Sequence, residues 1–288
     1  MTTRTTVRTN PDTGVTEEIG YFGDAPQMMG WAHIPPGDVR GGVLVLSSTH
    51  AEMLKAYHLE VQLARELAAK GIAVQRFHYR GDGNSEGDAE LLTLAAMVSA
   101  GREAFERLRD RVEFESTGLA GVRLGCYPAA QLSAELSADA MMLWDPVLDT
   151  DRFFNEAIRS HAISALKGEA KPEKPDVMLE RLYREGSIEL LGYEITSAFH
   201  QSITDRHLVD TSPGTATVFL VPFGSTDLST LVDGWSSQGV DVSTLDGTQR
   251  EAWWLDEQAN DDRHQRSKVL VSGSASWMAD QLIDQPSA

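Results

Sequence analysis

Apolar runs and amphipathic stretches alternate along most of the chain and predict strands and helices in a regular order. Residues 41–48 (GGVLVLSS) form a continuous apolar run, which is typical of a strand buried on both faces. The next stretch, KAYHLEVQLARELAAKG, repeats its apolar residues at helical spacing, and Gly71 follows as a helix C-cap. This alternation predicts a parallel sheet with right-handed crossovers. Further strands are predicted at 72–79, 119–125, 139–149, 216–224 and 240–247, and a last helix at 275–283.

The strand-helix rhythm is absent near the N-terminus and in one long internal segment. An alternating segment from Glu17 to residue 38, broken by Gly-Asp and Pro-Pro, predicts an antiparallel hairpin. We expect the chain to be ordered only from about Glu17. Residues 150–211 consist mainly of helical patterns joined by a Pro/Lys-rich link. We interpret them as a helical cap over a core formed by residues 1–149 and 212–288.

Length and composition favour one large α/β domain that carries an inserted sub-domain. The chain has 288 residues, of which 41% are hydrophobic, enough for a sizeable core. Its net charge of -18 argues against nucleic acid or an anionic membrane surface as the main partner. We therefore expect a small-molecule substrate as the partner, and a homodimer is left open. The acids and histidines show no metal-binding spacing, and no cofactor is expected.

The cellular compartment is predicted from the single cysteine and from the absence of apolar targeting segments. One cysteine, Cys126, excludes an intrachain disulfide and is consistent with a reducing cytoplasm. The polar N-terminal sequence lacks the apolar core of a signal peptide, and no apolar run approaches the length of a membrane span. We expect a soluble, cytoplasmic protein.

The sharpest predicted turn from a strand into a helix is Gly121-Val122-Arg123-Leu124-Gly125. Its glycines have the spacing of the G-x-S-x-G nucleophile elbow, in which strand and helix approach closely around a strained central residue. The central residue here is Arg123, whose guanidinium cannot be deprotonated and therefore cannot be a nucleophile. It can clamp a carboxylate or phosphate of a ligand, or it can form a salt bridge with an acid such as Asp145 or Asp227.

The order of elements, the elbow, the loop RGDGNSEG and the mid-chain insertion resemble the α/β-hydrolase superfamily. GVRLG, LWDPVLDTDRFF and LLGYEITSAF further resemble the group called exosortase-system-associated hydrolases. The resemblance implies an α/β-hydrolase fold with a mostly parallel, doubly wound sheet and a helical cap insertion. It places Asp227, in a Gly-x-x-Asp turn, at the position of the triad acid. Trp253 or Trp254 stands where the histidine is expected, and His264 follows about ten residues later. A conventional Ser-His-Asp mechanism is therefore not expected.

The loop after the first buried strand carries further candidates for the site. In the resembling superfamily an oxyanion hole uses backbone amides, which here would come from Leu124 and from Ser48 or Thr49. His50 lies in the same loop, with Glu52 two residues on, and is either a general base beside Arg123 or a solvated or helix-capping histidine.

Three other residues have a functional and a structural interpretation. Asp145, at the carboxyl end of a strand, is either a triad acid or the cap of the helix that follows. Cys126 is either a displaced nucleophile at a helix N-terminus or, as we favour, a small buried residue. Ser85, in the glycine-rich loop, is not expected to be a nucleophile, and His200 and His207 are expected to be structural or solvated.

These observations predict a pocket between cap and sheet, ringed by His50, Arg123, Asp145, Asp227 and Trp254. We expect His50, Arg123, Asp145 and Asp227 to act in catalysis, and Thr49, Glu52, Leu124 and Trp254 to bind substrate. The first hypothesis is an enzyme that acts without a serine nucleophile on a small acyl, ester, thioester or carboxylate-bearing metabolite. The alternative is a catalytically degenerate protein that binds a ligand or serves as a scaffold in a pathway.

Overall fold

The computed structural model describes residues 5–167, 173–223, 226–245 and 261–283. Within these residues, strands assemble into a nine-stranded sheet and a separate two-stranded one. The strands of the large sheet are β1 (Thr6–Thr9), β2 (Thr16–Phe22), β3 (Met28–Ile34), β4 (Gly41–Leu46), β5 (Ile72–Phe77), β6 (Ser116–Val122), β7 (Ala140–Trp144), β10 (Thr217–Val221) and β11 (Asp241–Thr244). Their order is β1-β2-β3-β5-β4-β6-β7-β10-β11.

The six strands from β5 to β11 in this order are parallel, whereas β1, β2 and β3 pair antiparallel. The predicted hairpin at 17–38 is therefore confirmed as β2 and β3. The expectation of order only from about Glu17 was wrong, because Thr6–Thr9 pairs with β2 as an additional edge strand. Every residue of that strand is exposed, so it carries no apolar alternation that the sequence could reveal.

Helices cover both faces of the sheet, as predicted for a doubly wound arrangement. On one face α1 (His50–Ala69) and α8 (Asp261–Ile283) pack over side chains such as Val43 and Val45, while on the other α2 (Leu94–Arg109) and α3 (Cys126–Glu135) pack over Leu44 and Leu46. Helix α7 (Ser229–Ser237) adds Leu231 and Trp235 to the core of that second face. Helix α8 begins well before the predicted residue 275. Buried Ser274, which accepts a 2.9 Å hydrogen bond from Trp144 Nε1, interrupts the apolar pattern there. No helix of the described segments is long and apolar enough to cross a lipid bilayer.

The insertion between β7 and β10 contains α4 (Thr150–Lys167), α5 (Pro175–Glu185), β8 (Ser187–Leu190), β9 (Tyr193–Thr196) and α6 (Ser197–Ile203). The sequence predicted helices throughout, but β8 and β9 form an antiparallel hairpin. Its two-residue turn, Leu191-Gly192, has positive φ at both positions, the geometry that suits a tight hairpin. The two ends of the insertion meet, because Thr150 N donates to the Arg206 carbonyl at 3.1 Å. That this segment acts as a cap stays a prediction.

Candidate functional site

The turn between β6 and α3 is as sharp as the glycine spacing predicts. Residues Arg123–Gly125 form a single 3-10 turn, and Arg123 has the left-handed φ of 52°. A Cβ on Gly125 would collide with the carbonyl oxygen of Leu46, and one on Gly121 would lie 2.8 Å from Cys126 Cα. Because strand and helix approach so closely, only glycine fits at these two positions.

The Arg123 guanidinium is held by carboxylates from two other elements. Its Nη1 lies 2.7 Å from Asp145 Oδ2, and its Nη2 and Nε lie 3.0 and 3.1 Å from Glu52 Oε1. Burial alone would lower the pKa of Arg123, but the charges of Glu52 and Asp145 outweigh it and raise the pKa. The salt-bridge interpretation of Arg123 is therefore confirmed for Asp145, with Glu52 as a second partner that was predicted to bind substrate.

Asp145 is completely buried, and its carboxylate is held by Arg123 and by two further hydrogen-bond donors. Its second carboxylate oxygen, Oδ1, accepts hydrogen bonds from Phe223 N at 3.2 Å and from Thr226 Oγ1 at 2.9 Å. Burial raises the pKa of Asp145 to about 6, although Arg123 and these two donors oppose the shift. Glu52 is anchored in the same way, since its Oε2 accepts from Ser48 Oγ at 2.8 Å. We call this group, formed by Ser48, Glu52, Arg123 and Asp145, the arginine cluster.

His50 begins α1 with a left-handed φ of 56°, and its imidazole faces the insertion. The ring packs edge-on against Tyr193 and Phe199, at centroid distances of 5.8 and 5.1 Å. Its Nδ1 lies 2.9 Å from Thr49 Oγ1. Burial lowers the pKa of His50 to about 4, so the imidazole is neutral at pH 7 and is a weak base.

Asp82 belongs to this site, although it was not among the site residues predicted from the sequence. It lies in the loop RGDGNSEG, and its carboxylate accepts the backbone N–H groups of His50 and Gly83, each at 3.0 Å. Burial raises the pKa of Asp82 to about 6, against the effect of those two hydrogen bonds. The signal available in the sequence was an acid flanked by two glycines in a loop at the end of a buried strand.

A cavity of about 640 Å³ opens beside His50. Three segments form its wall, namely the start of α1, the loop after β5 and the tip of the β8–β9 hairpin. Its lining residues are His50, Met53, Leu54, Tyr57, His78, Gly81, Asp82, Gly83, Asn84, Ser85, Gly87, Ala89, Gly192, Tyr193 and Glu194. The predicted ring of residues is therefore not one pocket, because Arg123, Asp145 and Asp227 do not line this cavity. Of the five, His50 does, and Trp254 lies outside the described residues.

Asp227 does not join the arginine cluster, contrary to the position that the resemblance implied. Its side chain is exposed and its Oδ1 accepts from Ser229 N at 3.0 Å, at the start of α7. Hydrogen bonds from the backbone N–H and the side chain of Ser229 lower the pKa of Asp227. The neighbouring Thr226 reaches Asp145 instead. Trp253 lies outside the described residues, as does the side chain of His264.

The remaining candidates are buried or already bonded. Leu124, Ser48 and Thr49 are at most 2% exposed and do not line the cavity. Cys126 is fully buried, which raises the pKa of its thiol and supports the structural interpretation. Ser85 lines the cavity, but its hydroxyl donates to the His78 carbonyl at 2.6 Å and accepts from Met29 N. Among the described residues no cluster of His, Cys, Asp or Glu could hold a metal ion.

Comparison with known proteins places the chain in a fold class. No family model matches it, and no similar curated protein was found. Solved structures are similar over nearly the whole chain. Est1E from Butyrivibrio proteoclasticus, with ferulic acid bound, has a TM-score of 0.62 at 13% identity and covers 91% of this chain and 98% of its own. A putative hydrolase from Agrobacterium vitis S4 has a TM-score of 0.55 at 16% identity, with 98% and 100% covered.

The α/β hydrolase GrgF from Penicillium sp. sh18 is similar to the same degree, with a TM-score of 0.56, 15% identity, and 99% and 100% of the two chains covered. At such identities the similarity shows the fold alone. Together with the mostly parallel sheet and the helices on both of its faces, it shows that this protein has the α/β-hydrolase fold.

Proposed function

We propose that this protein binds a small molecule in the cavity beside His50 and forms no covalent acyl-enzyme. The observation that carries the proposal is the arginine cluster, which occupies the turn where this fold presents its nucleophile. A guanidinium held by Glu52 and Asp145 cannot attack a substrate. Thr49 has a hydroxyl next to the His50 imidazole, but Thr49 is buried away from the cavity.

A covalent probe tests this proposal directly. We expect no mass increase of the intact protein after incubation with a fluorophosphonate, which labels activated serines, whereas a serine esterase treated in parallel gains one adduct. Cavity binding is tested by a thermal-shift screen of small molecules, with Tyr57→Ala as the variant that should lose the shift and Tyr21→Ala, away from the cavity, as its control. A stoichiometric adduct on the wild-type protein would contradict the proposal.

A second candidate is an enzyme that hydrolyses an ester or thioester with a directly activated water. The favouring observation is that His50 and Asp82 lie together at the cavity and that the pKa of Asp82, about 6, suits a general base near neutral pH. In this mechanism Arg123 holds the loop and does not contact the substrate. A panel of esters and thioesters decides between the candidates. Turnover that falls in both His50→Ala and Asp82→Asn would favour the enzyme, and no turnover favours ligand binding.

We also propose that the chain is cytoplasmic and uses residues 150–211 as a cap. A further proposal is that it is related to the exosortase-system-associated hydrolases. Supporting the relation, two of the three resembling stretches meet at the arginine cluster, since GVRLG contains Arg123 and LWDPVLDTDRFF contains Asp145 and Phe153. The third, LLGYEITSAF, supplies Tyr193 to the cavity wall. The Phe153 ring centre lies 5.9 Å from Arg123 Cζ. We expect other chains with all three stretches to carry an acid at the place of Glu52, and neutral residues there would count against the relation.

A further inference from the structure

The charges on the cavity wall have a single sign. Its described lining residues include two acids, Asp82 and Glu194, and neither lysine nor arginine. Glu194 is exposed at the hairpin tip, whereas Asp82 is only 5% exposed. The carboxylate of Asp82 accepts two backbone hydrogen bonds and has acceptor capacity for more.

The arginines nearest to the wall are held by acids elsewhere. Arg80 donates to Glu103 at 2.9 Å and to the Pro26 carbonyl at 2.6 Å. Arg76 lies behind Tyr57 as a buried side chain, with its Nη2 3.7 Å from Glu60 Oε2. Arg123 belongs to the arginine cluster. These three guanidinium groups are therefore paired with acids away from the cavity, although the charge of Arg76 still contributes to lowering the pKa of His78, after the larger effect of burial.

The two histidines of the wall add no positive charge at neutral pH. Burial lowers the pKa of both His50 and His78 to about 4, and for His78 the charge of Arg76 contributes. The Asn84 backbone N–H donates to His78 Nδ1 at 2.9 Å, so the ring proton is on Nε2. Both rings therefore present neutral, polarisable surfaces.

Aromatic rings complete the wall. Tyr57 and Tyr193 line the cavity on opposite segments, one from α1 and the other from the hairpin. Asp82 and Tyr193 both line the cavity. The negative charge of Asp82 contributes to raising the pKa of Tyr193, after the larger effect of burial. An organic cation is attracted both by tyrosine ring faces and by a carboxylate of low exposure.

We infer that the cavity takes a small organic ammonium cation and discriminates against carboxylates and phosphates of the same size. This inference rests on the proposed function, because it names the class of ligand for the same cavity. It replaces the anion that Arg123 suggested in the sequence, since the guanidinium that would bind an anion does not line the cavity.

Three probes of one shape and different charge test the inference. Isothermal titration at pH 7.5 would compare benzylammonium, benzyl alcohol and benzoate on the wild-type protein. We expect benzylammonium to bind about tenfold more tightly than benzyl alcohol, and benzoate to bind most weakly. Equal or tighter binding of benzyl alcohol or benzoate would overturn the inference and leave ligand binding intact. If no probe binds with a Kd below about 10 mM, both the inference and the proposed function are contradicted.

A substitution and a change of pH identify the group that binds the ammonium cation. Asp82→Asn should reduce benzylammonium affinity about tenfold while benzyl alcohol affinity is unchanged, and the exposed acid variant Asp227→Asn is the matched control. If Asp82→Asn does not fold, Glu194→Gln at the rim should still weaken benzylammonium binding about twofold. Unchanged benzylammonium affinity in both variants would contradict the assignment.

The pH shift works through the protonation of Asp82. The titratable groups that share the cavity wall with Asp82 are His50, Tyr57, His78, Tyr193 and Glu194, and Asp82 N donates to the carbonyl of buried Tyr79 at 3.1 Å. Both histidines stay neutral at pH 5 because each pKa is about 4, and the pKa of Tyr79 and of Tyr193 is raised. An alkylammonium stays charged, as lysine does with a pKa of about 10.4. Asp82, with a pKa of about 6, loses its charge between pH 7.5 and 5, so benzylammonium affinity should fall about threefold or more in the wild type but not in Asp82→Asn.

Discussion

Arg123 shows how one residue can have a structural role at the turn from a strand into a helix. Its guanidinium joins α1 to the end of β7 through Glu52 and Asp145, two acids that would otherwise repel each other. Bringing such charges out of water costs free energy, and the attraction between them offsets that cost only while all partners are present. The arginine cluster is therefore sensitive to the loss of any single member.

Removing the guanidinium should destabilise the protein strongly at neutral pH. We expect Arg123→Met to lower the free energy of unfolding in urea by about 3–5 kcal/mol at pH 8, because buried Asp145 is left without a counter-charge. Arg123 lowers the pKa of Asp145, so without it that pKa rises above about 6 and the carboxyl is neutral at pH 5. The loss should therefore be smaller at pH 5.

Arg102→Met is the matched control for that experiment. Arg102 pairs with Glu135 in an exposed salt bridge, and its loss should cost less than about 1 kcal/mol at either pH. An Arg123→Met variant no less stable than Arg102→Met would contradict the role assigned to the arginine cluster.

Individual site residues were predictable where a local pattern carries their role. The spacing of Gly121 and Gly125 identified Arg123, and its chemistry left two partners open, the anion of a ligand and an acid of the protein. The contribution of Thr226 instead of Asp227 depends on which of two adjacent side chains turns toward Asp145, and no sequence pattern encodes that choice. Asp82 was missed because its distant partner, the His50 amide, becomes a neighbour only when β4 and β5 pair.

At the scale of elements, three adjacent parallel strands are followed by strained non-glycine residues. His50, Arg123 and Asp145 have φ values of 56°, 52° and 41°, and they follow β4, β6 and β7. Such conformations persist only where the surrounding structure holds them, and they concentrate at functional sites. The same edge of the sheet therefore carries the arginine cluster, the cavity wall and the loop RGDGNSEG.

The loop after β5 should depend on a glycine at position 83. Gly83 has a φ of 59°, and a Cβ there would collide with Nδ1 of His78, which holds the Asn84 amide. Gly37 has a φ of 77° with nothing within 4 Å of its Cβ position, so Gly37→Ala measures the backbone cost alone. We expect Gly37→Ala to cost about 1 kcal/mol and Gly83→Ala about 1–3 kcal/mol more in thermal or urea unfolding. Equal losses would show that the loop moves aside freely.

Helices and strands were predictable from the sequence where their buried residues recur with a regular period. The apolar runs of β4, β5 and β10 and the helical spacing of α1 predicted the parallel core. The β8–β9 hairpin was missed because each strand has only four residues, too few for alternation to be distinguished from helical spacing. Strand β1 was missed because packing contributes nothing to it, and its pairing to β2 relies on backbone hydrogen bonds.

At the scale of the whole molecule, burial of the two apolar layers on the faces of the sheet must offset the repulsion between the charges of an acidic surface. The net charge is -18, from 43 acids and 25 basic residues. Charges of one sign repel each other more in the folded state, where they are closer together, than in the unfolded chain. Added salt weakens this repulsion.

Ionic strength should therefore stabilise the protein. We expect the urea midpoint and the Tm to rise when sodium chloride is increased from about 20 mM to about 300 mM, because the Debye length falls below the spacing of most surface charges. Potassium chloride at equal ionic strength should act equally, which separates screening from the binding of a particular cation. A midpoint that stays constant or falls would indicate that ion pairs, and not repulsion, dominate the surface.

The two ends of the insertion between β7 and β10 are paired with each other, and this has a consequence for how such proteins diversify. Thr150 and Arg206 are hydrogen-bonded to each other, and Asp149 forms a β-bridge with His207, so the segment between them leaves and rejoins the core at one point. A module attached in this way can be exchanged during evolution, or in the laboratory, without cutting the sheet. Because its hairpin supplies Tyr193 and Glu194 to the cavity wall, such an exchange would change the lining of the cavity, and with it the ligand class proposed for it, while the arginine cluster and the scaffold are inherited unchanged.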